Sequence, residues 1–194
     1  AGLAAGLDAP GMTRRAALPQ RRQDFHDARG VLLVVRDPPP PPPPIKGQPA
    51  AVPGNPAEGA EILLAVWTDG SVTALHGHVD LGTGLRTALA QIVAEELDIE
   101  VADVHLLMGS TTTAPNQGAT IASASIQIHA PPLRAAAAQA RAWLDSHTLG
   151  LEDHVVLTLD PATKVKDPAT YRIVGTSTPR VDLAAKATGE AVFV

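Results

Sequence analysis

The residues EILLAVWTDGSVTALHGHVDLGTGLRTALAQIVAEEL, at positions 61–97, decide the fold class because their apolar periodicity changes from that of strands to that of a helix. Residues 61–67 read as a strand, Thr68-Asp69-Gly70 as a turn, and residues 71–75 as the returning strand. From position 85, apolar residues recur at helical spacing, which predicts an amphipathic helix over residues 85–97. A β-hairpin that leads into a long helix indicates an α/β fold.

Further elements are expected on the C-terminal side of this stretch. They are strands at residues 104–108, 154–159 and 171–174, a helical region from about Thr120, and an alanine-rich helix over 133–144. The pair Pro131-Pro132 must kink or restart the helical region, because neither proline can donate a backbone hydrogen bond. We therefore expect an α/β (α+β) fold with short mixed strands packed on two main helices.

The first 59 residues are expected to form an extended, poorly ordered arm. Residues 1–30 are rich in Ala, Arg and Gly without clear periodicity, and the seven prolines at positions 38–44 favour an extended polyproline conformation. We interpret the Pro-rich stretch as a spacer or tether in preference to a recognition ligand.

Arg21-Arg22, followed by the apolar residues 31–35, is similar to a twin-arginine export signal. The apolar run is shorter than the roughly 7–15 residues expected of such a signal. We expect a degenerate leader or a short strand at this position. The expected location is cytoplasmic, with twin-arginine export to the periplasm as the alternative.

The composition excludes several classes of site and partner. The chain has no Cys, so it cannot hold disulfides, thiolate zinc sites or Cys-ligated iron–sulfur clusters. Its formal net charge of −5 and its scattered Arg residues argue against a nucleic-acid partner. Because 45% of the residues are hydrophobic but only 3% are aromatic, the core must consist mainly of Ala, Val, Leu and Ile.

A first candidate ligand-binding junction spans residues 80–87, where a Gly82-Thr83-Gly84 turn links an extended segment to the helix. Free backbone N–H groups and the helix dipole would favour an anion or a polar heterocycle there, and a bound phosphate would balance the charge of Arg86. Thr87 stands where a dinucleotide-binding G-x-G-x-x-G motif requires Gly. A glycine-rich turn without a ligand is the alternative interpretation.

A second junction spans residues 109–125, which are rich in small and hydroxyl-bearing side chains. Thr120 is expected to cap the following helix, and Ser123 and Ser125 would supply hydroxyl groups to a flat ligand. An ordinary Ser/Thr-rich loop is the alternative. We expect the two junctions to converge on one cleft.

A competing hypothesis places a metal ion at His76, His78 and Asp80. These residues stand at i, i+2 and i+4, so on a strand they would face one side, and two His with a carboxylate can bind iron or zinc. The alternating Leu75, Gly77 and Val79 are equally typical of a half-buried strand, and we favour that reading.

Two stretches of the sequence resemble the cofactor segments of one enzyme family. Residues 77–84 with 87–97, and residues 115–125, are similar to the pterin-binding segments in the molybdenum-cofactor subunit of xanthine dehydrogenase/aldehyde oxidase-type hydroxylases. Residues 176–193 resemble the start of the family's hammerhead domain. Because this motif follows a cofactor segment, the order of elements is that of the nicotinate dehydrogenase and isoquinoline 1-oxidoreductase large subunits.

The resemblance implies three regions: the arm at 1–59, a molybdopterin-binding portion at 60–170, and the beginning of a hammerhead-type domain at 171–194. It also implies hydroxylation of an N-heterocycle or aldehyde with water as the oxygen source. The implied cofactor is molybdopterin cytosine dinucleotide with molybdenum. The implied partners are the remainder of the large subunit, an iron–sulfur subunit that carries [2Fe-2S] clusters, and a flavin or cytochrome c subunit.

Carried over position by position, the resemblance assigns nine residues to cofactor binding. They are Gly82, Thr83, Gly84, Thr87, Asn116, Thr120, Ala122, Ser123 and Ser125. Thr83 stands where many family members have Gln, and the family's catalytic glutamate has no counterpart, because Glu190 belongs to the hammerhead motif. We therefore expect one piece of a larger subunit that is inactive alone. The alternative is a non-catalytic interaction fragment.

Overall fold

The computed structural model describes residues 18–38 and 59–190. In chain order the elements are α1 (Arg22–Asp27), β1 (Val31–Arg36), β2 (Glu61–Trp67), β3 (Val72–His76), α2 (Leu85–Leu97), a 3₁₀ turn (Val101–Asp103), β4 (Val104–Met108), α3 (Ala124–Gln127), α4 (Ala130–Leu144), β5 (His154–Thr158), a second 3₁₀ turn (Pro168–Thr170) and α5 (Leu183–Thr188). The predicted bounds of β2, α2 and β4 are confirmed, as are the α/β class and the helix over 133–144.

The strands form one mixed five-stranded sheet in the order β4-β3-β2-β1-β5. The β1–β2 and β2–β3 pairs are antiparallel, whereas β3–β4 and β1–β5 are parallel. The central strands are buried on both faces, so they are nearly continuous apolar runs instead of alternating ones.

Two apolar layers cover the two faces of the sheet. Leu32 and Val34 belong to the larger core cluster, which they share with α2 and α4. Leu33 belongs to a smaller cluster on the opposite face, together with Phe25 of α1 and Trp67. The rings of Phe25 and Trp67 stack with centroids 6.0 Å apart. Alternate residues of β1 therefore serve two separate cores.

The expected arm over residues 1–59 is wrong for residues 18–38. Residues 31–35 form a strand in the sheet interior, and Val31 to Val34 are fully buried. The five apolar residues mimicked a short leader because a strand that is covered on both faces has no polar alternation. Residues 1–17 and the seven prolines lie largely outside the described residues, so the polyproline prediction stays a prediction.

The two strands that flank the Pro-rich stretch in sequence are neighbours in the sheet. Arg36, the last residue of β1, pairs in register with Glu61, the first residue of β2. Their side chains also form a salt bridge with an N–O distance of 2.8 Å. The intervening residues therefore connect two neighbouring antiparallel strands and do not separate two parts of the fold.

Two other expectations are wrong. No strand forms at residues 171–174, because their backbone N–H groups bind a side chain of α2. The helical region does not start at Thr120, whose hydroxyl accepts a hydrogen bond from the backbone of Val79. The first turn of α4 contains Pro131-Pro132, which confirms the expected restart. Within the described residues, no helix has the length and apolarity of a bilayer span.

Candidate functional site

A cleft of about 440 Å³ lies between the two predicted junctions. The first wall consists of the segment after β3 and the start of α2, and the second wall is the loop that leads into α3. The lining residues are Val79, Leu81, Thr83, Leu85, Ala88, Thr120, Ile121, Ala122, Ser123, Ser125 and Ile126. None of these side chains is charged. The prediction that the two junctions share one cleft is confirmed.

The carboxylate of Asp80 shapes the first wall. It accepts hydrogen bonds from the backbone N–H groups of Gly82 (2.9 Å), Gly84 (3.2 Å) and Arg86 (3.0 Å). Asp80 is partly desolvated, but these N–H groups and the nearby guanidinium of Arg180 lower its pKa. The helix N-terminus is thus occupied by the chain's own anion. The use of these N–H groups for an external anion stays a prediction, and Arg86 donates to the carbonyl of Leu106 (2.5 Å).

Close backbone contact joins the second wall to the end of β3. A Cβ atom at Gly77 would lie 2.2 Å from the carbonyl oxygen of Pro115, so only glycine fits there. The N–H of Gly77 donates to the side-chain oxygen of Gln117 (2.8 Å), and the N–H of Val79 donates to the hydroxyl of Thr120 (3.1 Å). These three contacts hold the two walls together.

The tip of the second wall has an uncommon backbone conformation. Ala122 and Ser123 are consecutive non-glycine residues with φ values of 55° and 54°. This left-handed conformation costs roughly 1–2 kcal/mol per residue for L-amino acids. Backbone strain of this kind is concentrated at ligand-binding sites. The strained pair exposes the small side chains of residues 122 and 123 at the mouth of the cleft.

Three histidine rings form a cluster, and one of them, His78, contacts Ser125 of the cleft lining. The ring centroids of His78 and His129 are 4.5 Å apart, and the ring of His76 lies 5.5 Å from His78 and 6.2 Å from His129. Burial, together with the neighbouring His rings, lowers the pKa of His76 and of His129 to about 4. The Nε2 atom of His76 is buried and has no hydrogen-bond partner among the described residues.

The alternative metal site at His76, His78 and Asp80 does not form. The Asp80 carboxylate binds the start of α2, whereas the two His rings face His129. Across residues 18–38 and 59–190, no group of three His or carboxylate side chains is arranged to hold a metal ion.

Five of the nine residues assigned to the cofactor line the cleft: Thr83, Thr120, Ala122, Ser123 and Ser125. Gly82, Gly84, Thr87 and Asn116 do not line it. The hydroxyl of Thr87 accepts from the N–H of Val181 (3.1 Å), and the side chain of Asn116 accepts from the N–H of Gly118 (3.2 Å). A direct role in cofactor binding stays a prediction for all nine.

Two buried acids of α2 organise the chain beyond α4, and the motifs of the sequence did not single them out. The carboxylate of Glu96 accepts from Arg134 (2.7 Å) and Arg141 (3.0 Å) of α4. Glu95 accepts from the backbone N–H groups of residues 172–174. Two adjacent acids on an apolar helix face could have indicated these contacts, because a carboxylate is buried only where charged or hydrogen-bonding groups pair with it.

His129 was also missed. It stands at the N-cap position of α4, more than 50 residues from His76 and His78 along the chain, and no local pattern connects it with them.

Comparisons with known proteins cover most of the chain. Residues 20–188 match the family model described as molybdopterin cofactor-binding domain. The chain is 46% identical over 163 residues to a nicotinate dehydrogenase subunit of Pseudomonas putida, an alignment that covers 69% of this chain and 14% of that protein.

Shorter alignments connect the chain with two mouse proteins. It is 40% identical over 67 residues to mouse xanthine dehydrogenase/oxidase, covering 34% of this chain and 5% of that protein. It is also 40% identical over 70 residues to mouse aldehyde oxidase 2, an alignment that covers 36% of this chain and 5% of that protein. The chain thus spans about a seventh or less of the length of these relatives.

Proposed function

This chain belongs to the molybdopterin cofactor-binding domain family, and we propose that its cleft binds the uncharged pterin part of a molybdenum cofactor in a larger hydroxylase. The observation that carries the proposal is the convergence of two small, hydroxyl-rich junctions on one cleft of about 440 Å³. Hydroxyl and backbone groups on an otherwise apolar wall suit a flat, neutral heterocycle with several hydrogen-bonding edges.

The residues of the cleft fit such a group. Thr83, Ser123 and Ser125 offer hydroxyls from the two walls, and Ala122 adds a small side chain at the strained turn. The absence of charged side chains among the lining residues disfavours a pyrophosphate inside the cleft. The nucleotide tail, which we propose to be cytidine, would therefore extend beyond the described lining.

The molybdenum centre would supply two-electron hydroxylation of an N-heterocycle or aldehyde, with water as the oxygen source. The domain's own side chains would bind and orient the pterin. Leu81 and Ile121 are 70% and 66% exposed at the rim of the cleft, where they would exclude water once covered. We propose that the remainder of the large subunit covers them.

We propose that electrons leave through [2Fe-2S] clusters on a partner subunit, and from there to a flavin or cytochrome c subunit. The absence of Cys supports the placement of those clusters outside this chain. The similarity to a protein that is named as one subunit of nicotinate dehydrogenase supports a multi-subunit complex. We expect the isolated chain to be inactive.

We propose a cytoplasmic location. The twin-arginine-like segment is used in the fold, because Arg21 precedes α1 and residues 31–35 form the interior strand β1. Twin-arginine export to the periplasm is the alternative. Cell fractionation that recovers the folded protein in the periplasm would favour the alternative.

Bulk placed in the cleft tests the proposed function. Ala88 lines the cleft from α2, whereas Ala142 is exposed on α4 and does not line it. In the full-length protein purified with its partners, we expect Ala88→Phe to lower the molybdenum content at least tenfold. Ala142→Phe should retain the wild-type content. Full molybdenum occupancy in folded Ala88→Phe would contradict the proposal.

A second candidate function is a non-catalytic interaction fragment. The exposed apolar rim of the cleft, with Leu81 and Ile121, favours it because such a patch suits contact with another protein surface. A wild-type complex that assembles but contains no molybdenum would support this candidate over the first.

A further inference from the structure

His78 connects the two walls of the cleft from below. Its side chain is 1% exposed. Its Nδ1 atom lies 2.8 Å from the hydroxyl oxygen of Ser125, and its Nε2 atom lies 3.2 Å from the backbone carbonyl oxygen of Gln117. The ring thus joins the segment after β3 to Gln117 in the loop of the second wall and to Ser125 in α3.

The two partners of His78 determine where the protons lie. A backbone carbonyl can only accept a hydrogen bond, so in the neutral ring Nε2 carries the hydrogen and donates it to Gln117. Nδ1 is then an acceptor, and the hydroxyl of Ser125 must donate its single hydrogen to it. No other hydrogen bond of the Ser125 hydroxyl occurs within the described residues.

The consequence is a fixed polarity at the cleft surface. The Ser125 hydroxyl lines the cleft, and its hydrogen is committed to the buried ring. Only its oxygen lone pairs remain for a bound molecule. A ligand group at this point must therefore be a donor, such as the N–H or amino group of a heterocycle, and a carbonyl there would face an oxygen without a hydrogen to give.

We infer that His78 is a positioning residue that sets the Ser125 hydroxyl as a hydrogen-bond acceptor and thereby selects a donor edge of the bound heterocycle. The inference rests on the proposed function and assigns a role to a residue that touches no ligand itself. Because His78 is buried and does not line the cleft, it can influence a bound molecule only through the Ser125 hydroxyl.

The test compares four variants of the full-length protein: His78→Phe, His78→Asn, Ser125→Ala and the double variant His78→Phe/Ser125→Ala. The readouts are the molybdenum content and the pterin fluorescence retained during dialysis, with thermal unfolding as the control for folding. Asn is the conservative replacement, because its side-chain oxygen can take the acceptor position of Nδ1.

We expect His78→Phe and Ser125→Ala each to shorten cofactor retention about five- to tenfold, the loss expected for one hydrogen bond. The double variant should be no worse than the single ones, and His78→Asn should stay within about twofold of the wild type. A purely structural role would not be rescued by Asn.

Three outcomes would overturn the inference. They are wild-type retention in Ser125→Ala, wild-type retention in folded His78→Phe, and effects that multiply in the double variant. Where His78→Phe does not fold, wild-type retention in Ser125→Ala still overturns the inference. A wild-type protein without any molybdenum is a different result, because it defeats the proposed function and this inference with it.

Discussion

Replacing Glu95 of α2 by Gln should release the segment at residues 172–174. The Glu95 side chain is 2% exposed, and its Oε2 atom accepts from the backbone N–H groups of Arg172 (3.0 Å), Ile173 (2.6 Å) and Val174 (2.9 Å). Desolvation alone would raise the pKa of this carboxyl, but these bonds and the ammonium group of Lys166 lower it.

The magnitude follows from the loss of the charge. A hydrogen bond to a charged group contributes about 1.5–3 kcal/mol, and a bond to a neutral group contributes about 1 kcal/mol. Because Glu95→Gln makes three charged bonds neutral, the three bonds together should stabilise the fold by about 3 kcal/mol less. Because a neutral Gln side chain is less costly to bury than a carboxylate, the expected net loss in the free energy of unfolding is about 2 kcal/mol. For a chain of this size, the melting temperature should fall by roughly 4–8 °C.

Thermal unfolding and amide hydrogen exchange measure this effect. The amides of residues 172–174 should lose protection before the sheet does, because they can detach without opening the core. Glu152→Gln is the matched control, since this acid is exposed in the loop before β5. Unchanged protection of those three amides in Glu95→Gln would refute the reasoning.

Three other predictions concern the neighbourhood of the cleft. Burial lowers the pKa of His76 from 6.5 to about 4, so its contribution to stability is complete above pH 6.5 and is lost as the pH falls towards 4. Because His129 contributes in the same direction, the loss in urea unfolding should persist in His76→Leu but be about 3 kcal/mol smaller than in the wild type. Gly77→Ala should destabilise by at least about 2 kcal/mol, because its Cβ would lie 2.2 Å from the Pro115 carbonyl, and a wild-type melting temperature would contradict this. Asp80→Asn should lower the free energy of unfolding by about 1–2 kcal/mol, because the NH₂ group of Asn is a donor and cannot accept the hydrogen bond from the N–H of Arg86. The amide of Arg86 should then exchange faster, and retained protection there would contradict the prediction.

Periodicity predicted α2, because its apolar residues recur at helical spacing. The strands β2 and β4 have the expected bounds because turn residues end both apolar runs, Thr68-Asp69-Gly70 after β2 and Gly109 after β4. The strand β1 was expected only as an alternative to a degenerate leader, because its run of apolar residues is too short to distinguish the two. Burial on both faces is a property of the assembled sheet and leaves no local pattern.

Tertiary contacts override local preference at residues 171–174. Ile173 and Val174 favour a strand on their own. The carboxylate of Glu95 takes the N–H groups that a strand would pair, and Gln91 takes the carbonyl of Ile173 (3.2 Å). No propensity could indicate this, because the two side chains lie about 80 positions earlier in the chain.

The meeting of the two junctions could be predicted because each has a dense run of small residues between a strand and a helix. The internal use of the helix N-terminus could not. Asp80 stands five positions before α2, and the sequence is equally compatible with a carboxylate that points to solvent. His129 entered the histidine cluster only through the packing of α4.

The pairing of Arg36 with Glu61 makes the intervening stretch a permissive insertion point. Since the two strands hold its ends together, each doubling of its length adds only about 0.6 kcal/mol of closure entropy. A reporter protein with closely spaced termini could be inserted there without separating β1 from β2. A truncation that removes all residues before 61 would instead remove β1, which pairs with both β2 and β5.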